Sequence, residues 1–262
     1  MPRLFHARRA RALLIATAAA LGGCSAPSAT LDAALFLPTL DGKIGLAAQA
    51  ITDVDTIDLS SSLDLGGRET SGELRLDLDF GPLDLAASGF RLSQDGQGTV
   101  AADFGGITAG STVNSKLDLA LVHGELLYDV VDTQPLTLGV GLAADWIDLQ
   151  LEEREAVFGL EESIDVQQPI PLLATRACVR IGAIDAVPLE LDLRAAGISA
   201  RFRDVNGAVA DGEALVRAQW SHVGLFAGYR YVLLRLDGQL NGQSFKGDVT
   251  LSGWLGGISV RL

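Results

Sequence analysis

His123-Gly124-Glu125 places an imidazole and a carboxylate two positions apart. On a strand those positions share a face, which suits a general base with a carboxylate neighbour. No nucleophile-elbow motif accompanies the pair, so a histidine held structurally in a lumen or at an interface is the plainer reading. Ser221-His222 sets a hydroxyl beside a second imidazole, but on a segment that reads as a short turn, where nothing supports the ring. Asp53-Val54-Asp55-Thr56-Ile57-Asp58 supplies three carboxylates, oxygen donors of the kind hard cations take. It lacks the central Gly and terminal Glu of a calcium loop and reads as a solvated acidic loop. Glu152-Glu153-Arg154-Glu155 and Glu161-Glu162 read as solvated loop charge as well. Gly105-Gly106 and Gly256-Gly257 lack the strand–helix context of a phosphate loop. Cys178 lies in an alternating stretch and reads as a small buried residue rather than a redox thiol. These residues lead to the expectation of no catalytic role, no metal and no cofactor.

The elements that carry them are strands. Before Pro82, Leu74, Leu76, Leu78 and Phe80 alternate with Glu73, Arg75, Asp77 and Asp79; after Pro188, Leu189, Leu191, Leu193 and Ala195 alternate with Glu190, Asp192 and Arg194. Side chains with that period point to opposite faces of a strand. Similar runs lie near residues 43–50, 116–130, 136–151, 166–181, 214–220, 223–236 and 249–262, giving about ten strands, with a range of eight to twelve. Three local patterns, Gly81-Pro82-Leu83-Asp84-Leu85, Gln134-Pro135-Leu136-Thr137-Leu138 and Val187-Pro188-Leu189-Glu190-Leu191, recur with their prolines 53 positions apart both times. Proline suits a turn or the first residue of a strand, so the period reads as repeated hairpins. Links at 81–82, 132–135, 184–187 and 221–222 are short. Those at 52–71, 93–112, 152–163 and 239–248 are long and rich in Gly, Ser, Asp and Glu. The inward Asp and Glu of the strands have arginines at hand and read as structural ion pairs.

The formal net charge of -13 argues against nucleic-acid binding and against a polybasic membrane patch. No run of eighteen apolar residues follows Cys24, which excludes a helical membrane span.

The N-terminus has a basic start (Arg3, Arg8, Arg9, Arg11), an apolar run over 12–21 and the close Leu21-Gly22-Gly23-Cys24. That layout is a secretory signal. The small residues before the cysteine resemble a bacterial lipobox. The resemblance implies acylation of Cys24 as the first residue of the mature chain, and Ser25 after it resembles outer-membrane sorting. An acylated Cys24 would leave Cys178 without an intrachain partner.

Alternation alone leaves open which face is dry: a water-soluble β-barrel or sandwich turns leucines inward, a membrane barrel turns them outward. Charges of both signs on one face suit an interior ion-pair network, and a Leu/Ala face suits lipid. Gly256-Gly257-Ile258-Ser259-Val260-Arg261-Leu262 resembles the terminal strand read by barrel-assembly machinery, and Ala227-Gly228-Tyr229-Arg230-Tyr231 is similar to a penultimate-strand pattern. The chain thus resembles the small bacterial outer-membrane β-barrel proteins over residues 40–262. Its last residue is Leu rather than an aromatic, and three Trp with three Tyr fall short of a full aromatic girdle at both interfaces.

The expected architecture is all-β: an antiparallel up-and-down barrel of about ten strands, with short turns at one end and long loops at the other. The expected organisation is a lipoprotein signal peptide at 1–23, a lipidated linker at 24–39 and a barrel at 40–262. The expected role is a lipid-anchored outer-membrane barrel, non-enzymatic, structural or forming a narrow pore. Its partners would be outer-membrane lipid and the barrel-assembly and lipoprotein-sorting machinery. The alternative is a periplasm-facing lipoprotein whose soluble β domain binds an apolar ligand or a protein.

Overall fold

A computed structural model of the chain describes residues 27–47, 54–184, 187–202, 205–240 and 243–262. The signal segment, Cys24 and Asp53 lie outside the described residues. Those described form strands β1 (Ser28–Leu46), β2 (Ile57–Asp58), β3 (Ser71–Asp79), β4 (Leu83–Thr99), β5 (Thr112–Asp132) and β6 (Leu136–Glu155), then β7 (Glu161–Ile184), β8 (Val187–Phe202), β9 (Val205–Trp220), β10 (Val223–Leu240) and β11 (Gln243–Arg261). Sequence neighbours pair antiparallel around the wall, and β1 pairs with β11 from Thr30↔Arg261 to Leu46↔Phe245, which closes the barrel. Ten strands make the wall; β2 is a two-residue addition on Lys43 and Ile44 of β1. No helix occurs among the described residues.

The wall exchanges its faces halfway along. On β5, Asn114, Lys116 and Asp118 point outward near the loop end while Val113, Leu117, Leu119 and Leu121 are buried inward. Further along the same strand Val122, Leu126, Tyr128 and Val130 point outward and His123 and Glu125 inward. β1 does the same, with Leu31, Leu35 and Leu37 outward before Thr39, Asp41 and Lys43, and Asp32 inward before Phe36, Leu40 and Ile44. On β10 Arg230 is buried and Arg235 is exposed. The half at the turn end therefore has an apolar outside and a charged inside. The half at the loop end has a polar outside and an apolar inside.

The exterior apolar belt has aromatic edges. All three Trp and all three Tyr are exposed: Trp146, Tyr229, Tyr231 and Trp254 where the outward face turns polar, Tyr128 and Trp220 near the turn end. Tyr229 and Trp254, opposite each other on β10 and β11, pack edge to face at 5.4 Å. Five phenylalanines, Phe36, Phe90, Phe104, Phe226 and Phe245, are buried instead. The six rings with a polar atom thus mark the belt's edges and these five without one fill the interior, as amphipathic and wholly apolar aromatics should, while Phe158 between β6 and β7 is exposed.

Segments between strands fill the mouth. Ile57, Leu59, Leu63 and Leu65 from the β1–β3 connection, with Val100, Phe104 and Ile107 from the β4–β5 connection, are fully buried against the inward apolar residues. Burial of each such side chain stabilises by about 1.5–3 kcal/mol. Strand β3 is short, so beyond Ser71 the 59–65 segment lies directly on β4. A Cβ on Gly98 would sit 1.8 Å from the Ser62 carbonyl oxygen and one on Gly96 2.1 Å from that of Leu63.

Two expectations need correction. The barrel begins at Ser28, ahead of the expected residue 40, because Leu31, Leu35 and Leu37 already alternate with buried Asp32 and Phe36. Pro38 is accommodated because it falls just past the β1–β3 ladder, which ends at Phe36. The links at 93–99, 152–155, 161–163 and 239–248 are largely strand: β4 runs to Thr99, β6 to Glu155, and β10 and β11 pair as far as Leu240↔Gln243. Ser93, Asp95, Glu152 and Asp248 among them take the exposed, outward positions of projecting strands. Pro169 and Pro171 on β7 likewise lie beyond the β7–β8 ladder, which ends at Leu173↔Gly197.

Candidate functional site: the buried charged layer

In the turn-end half the inward positions of nearly every strand carry a charge, because period-2 alternation sends Glu73, Arg75 and Asp77 of β3 and Asp192 and Arg194 of β8 to the same side. They meet across the lumen. Arg75 forks onto Glu213 of β9, with Nη2 donating to Oε2 at 2.8 Å. Arg230 donates to both oxygens of Asp211, at 3.2 and 2.6 Å, and to Glu73 at 2.9 Å. Arg194 bridges Glu125 at 2.6 Å and Asp77 at 2.8 Å, and Arg176 bridges Asp192 and Asp84. Arg217 reaches Asp32 at 2.6 Å. Bidentate guanidinium–carboxylate pairs are the geometry in which buried charge is tolerated. The expectation of structural ion pairing describes these residues.

His123 lies in this layer. Its Nδ1 is 2.6 Å from Asp145 Oδ1, whereas Nε2 is 3.6 Å from Glu125. The neighbour expected from the sequence, Glu125, is the longer contact. The closer one, Asp145, comes from the opposite register position on β6. Asp211, across the lumen on β9, completes a cluster whose nitrogen and carboxylate oxygens lie within 4.8 Å of one another. The cavity beside it, about 20 Å³, is also lined by Ser88 and three arginines (Arg75, Arg194 and Arg230), room for one water.

The remaining candidates do not join the layer's centre. Ser221 Oγ and His222 Nδ1 contact each other at 2.9 Å on the exposed β9–β10 turn, which carries no Asp or Glu. Cys178 faces Asp192 across the β7–β8 ladder and is half-buried. The acidic run at 53–58 is not simply solvated: Ile57 is buried in the plug. Asp58 Oδ1 accepts from the Ser61 and Ser60 amides and the Ser60 hydroxyl, bonds that hold its carboxyl below the usual range, the Ser61 amide foremost.

Glu153 and Glu155 are buried on the inward face of β6, while Glu152 and Arg154 face water, which corrects their reading as loop charge. Burial pushes Glu153 up to about 7 against the opposing pull of the Ser115 hydroxyl, which donates to it at 2.7 Å. Glu162 accepts from the Gly106 amide at 2.7 Å, pinning the 100–111 segment. Gly256 and Gly257 are strand residues of β11; a Cβ on Gly257 would meet the Ala33 carbonyl oxygen at 2.0 Å.

No family model and no curated protein sequence matches the chain. Among solved structures it is similar to the outer membrane protease OmpT of Escherichia coli, at a TM-score of 0.56 with 9% identity over 90% of this chain and 97% of that one. The translocator domain of the autotransporter NalP from Neisseria meningitidis aligns at a TM-score of 0.41, with 11% identity over 98% of this chain and 96% of that one. The OmpT likeness supports the closed ten-stranded barrel and, at that identity, the fold alone.

Proposed function

We propose that this chain is an outer-membrane β-barrel that spans the bilayer with its turn-end half and carries its loop-end half into water, with a structural rather than a conducting or catalytic role. The observation that carries this reading is the exchange of faces along the strands. On β5 the outward residues from 120 to 130 are apolar or Gly and end in Tyr128 and Val130; on β10 those from 223 to 233 include Tyr229 and Tyr231. Eleven residues is the length a tilted strand needs to cross a bilayer. A 20-residue strand such as β6, tilted by about 40–45°, extends about 45–50 Å, roughly twice an apolar belt ~25 Å tall. Water on both halves would leave the outward leucines, valines and aromatics uncovered, so the soluble-domain alternative accounts only for the loop-end half.

The filled lumen supports a non-conducting role. The turn-end half is crossed by arginine–carboxylate forks and the loop-end half by the apolar plug, and the cavities among these residues are about 10, 20 and 100 Å³. Each holds from one to a few waters. Lipidation at Cys24 fits the same geometry. Four positions separate Cys24 from Ser28, a reach of at most about 14 Å, so acyl chains there would enter the leaflet at the turn end beside β1.

The test is alkaline carbonate extraction of envelopes carrying Cys24→Ala, paired with planar-bilayer recording of the purified barrel. Retention in the pellet with no stable conductance is expected. Release into the supernatant overturns the membrane reading, and steady single-channel steps overturn the closed lumen.

A further inference from the structure

We propose that the cluster of His123, Asp145 and Asp211 is a binding site for one divalent first-row transition metal ion, with Zn²⁺ as the probe. Its ligand atoms come from both walls of the lumen: His123 and Asp145 from opposite positions on β5 and β6, Asp211 from β9. One imidazole and two carboxylates are the donors such ions take. Metal–ligand bonds of about 2.1 Å at near-tetrahedral angles put two ligands about 3.4 Å apart, so ligand atoms within 4.8 Å of one another close onto an ion by less than an ångström per side chain.

Two orphaned polar groups point to a missing partner. Asp145, 0% exposed and in contact with His123, has an Oδ2 without a hydrogen-bond partner; Ser88, also buried and opposite His123 on β4, has an unpartnered hydroxyl and lines the small cavity beside His123 and Asp211. A buried carboxylate oxygen without a donor is costly, and a cation is the partner that relieves it.

The charge balance points the same way. Among the described residues the five arginines of the layer face nine carboxylates. No arginine is bonded to Asp145, whose only partner among them is His123. Asp211 is held by Arg230 through both oxygens, which orients it and leaves lone pairs for an ion. Binding replaces the proton shared by His123 Nδ1 and Asp145 Oδ1 and releases it to solvent.

The site lies beneath the plug, so the ion would be loaded as the barrel folds. The experiment refolds the whole chain in detergent with Zn²⁺ or Co²⁺, dialyses away free ion and measures bound metal, with His123→Asn, Asp145→Asn and the exposed control His222→Asn in parallel. Expected are one equivalent in the wild type and in His222→Asn, at least a tenfold loss of affinity in His123→Asn and Asp145→Asn, and a higher unfolding midpoint for the loaded wild type. Absence of stoichiometric metal in the wild type overturns the site, as does binding that survives His123→Asn. Should those variants fail to fold, X-ray absorption of the Co²⁺-loaded wild type decides: one nitrogen ligand supports the site, and an all-oxygen shell overturns it.

Discussion

Asp145 and Asp148 stand three positions apart on one strand and point to opposite faces of the barrel wall. Asp145 is sealed in the lumen against His123, while Asp148 faces outward and accepts from Gln150 and Gln167. Between them Trp146 points outward at 49% exposure and Ile147 inward at 1%. The backbone keeps its period of two throughout, and only the meaning of each face changes. That four-residue step marks the level at which the outward face of the wall changes from apolar to polar and the inward face from charged to apolar.

Arginine substitutions on one face of one strand read that boundary. Leu126→Arg lies within the belt on the outward face of β5 and should destabilise the folded barrel by about 2–4 kcal/mol in lipid vesicles. Asn114→Arg, on the same face beyond the boundary, should change stability by less than about 0.5 kcal/mol. Urea unfolding in vesicles measures both. Equal costs would mean that the two halves share one environment.

The change of phase is present in the chain as odd spacings between polar residues of one strand: Asp32 and Asp41, Asp118 and His123, Asp145 and Asp148, Arg230 and Arg235. Reading each run as a single polar face hides it, because within either half the alternation is regular. Strand number and turns are legible, since Gly81-Pro82 and Ser221-His222 interrupt alternation with residues that prefer turns. Strand ends at the loop side are not. Ser93, Asp95 and Gln97 have the composition of a loop, and only pairing with Asp118, Lys116 and Asn114 identifies them as strand. His123 is visible as a candidate, but its partners are not local: Asp145 is set by register with β6, and Asp211 arrives only through closure of the wall.

The Arg75–Glu213 fork should behave as a unit. Arg75→Met leaves Glu213 buried without its main partner and should cost about 3–5 kcal/mol, whereas Arg75→Met with Glu213→Leu should recover most of it. A double-mutant cycle on equilibrium unfolding supplies the coupling energy. An additive cycle would show that the fork contributes nothing beyond its separate side chains.

Glu153 gives the loop-end half a pH dependence of defined sign. Its carboxyl, buried on β6, is pushed up to about 7, so the folded state holds a proton that the unfolded chain releases near 4.5. The stability this proton contributes is fully present below pH 4.5 and is lost as pH rises through about 7. The loss is on the order of 3 kcal/mol. Glu153→Gln keeps the Ser115 contact without the ionisation, so the variant should be more stable than the wild type at pH 8 and match it at pH 4.5. Parallel unfolding curves across that range would remove Glu153 as the source.

Phe104 tests whether the mouth is packed as a core or merely covered. Its ring is 0% exposed on the 100–111 connection, whose turn is fixed by hydrogen bonds between Phe104 and Ile107 and by Gly106 to Glu162. Neighbouring buried groups include Val100, Ile107 and inward leucines of β5. Truncation to alanine removes the transfer free energy of the ring and leaves a cavity that rigid strands cannot collapse, a cost of about 3–5 kcal/mol. The turn-end half, held by its own arginine forks, does not depend on that ring. Phe104→Ala should therefore lower the unfolding midpoint and open the 57–65 and 100–111 segments to protease, while the belt remains resistant in vesicles. Because those forks lie below the plug, the variant should still carry no current in a planar bilayer. A conducting Phe104→Ala barrel would mean that the apolar plug alone closes the lumen and that the charged layer is a path for ions.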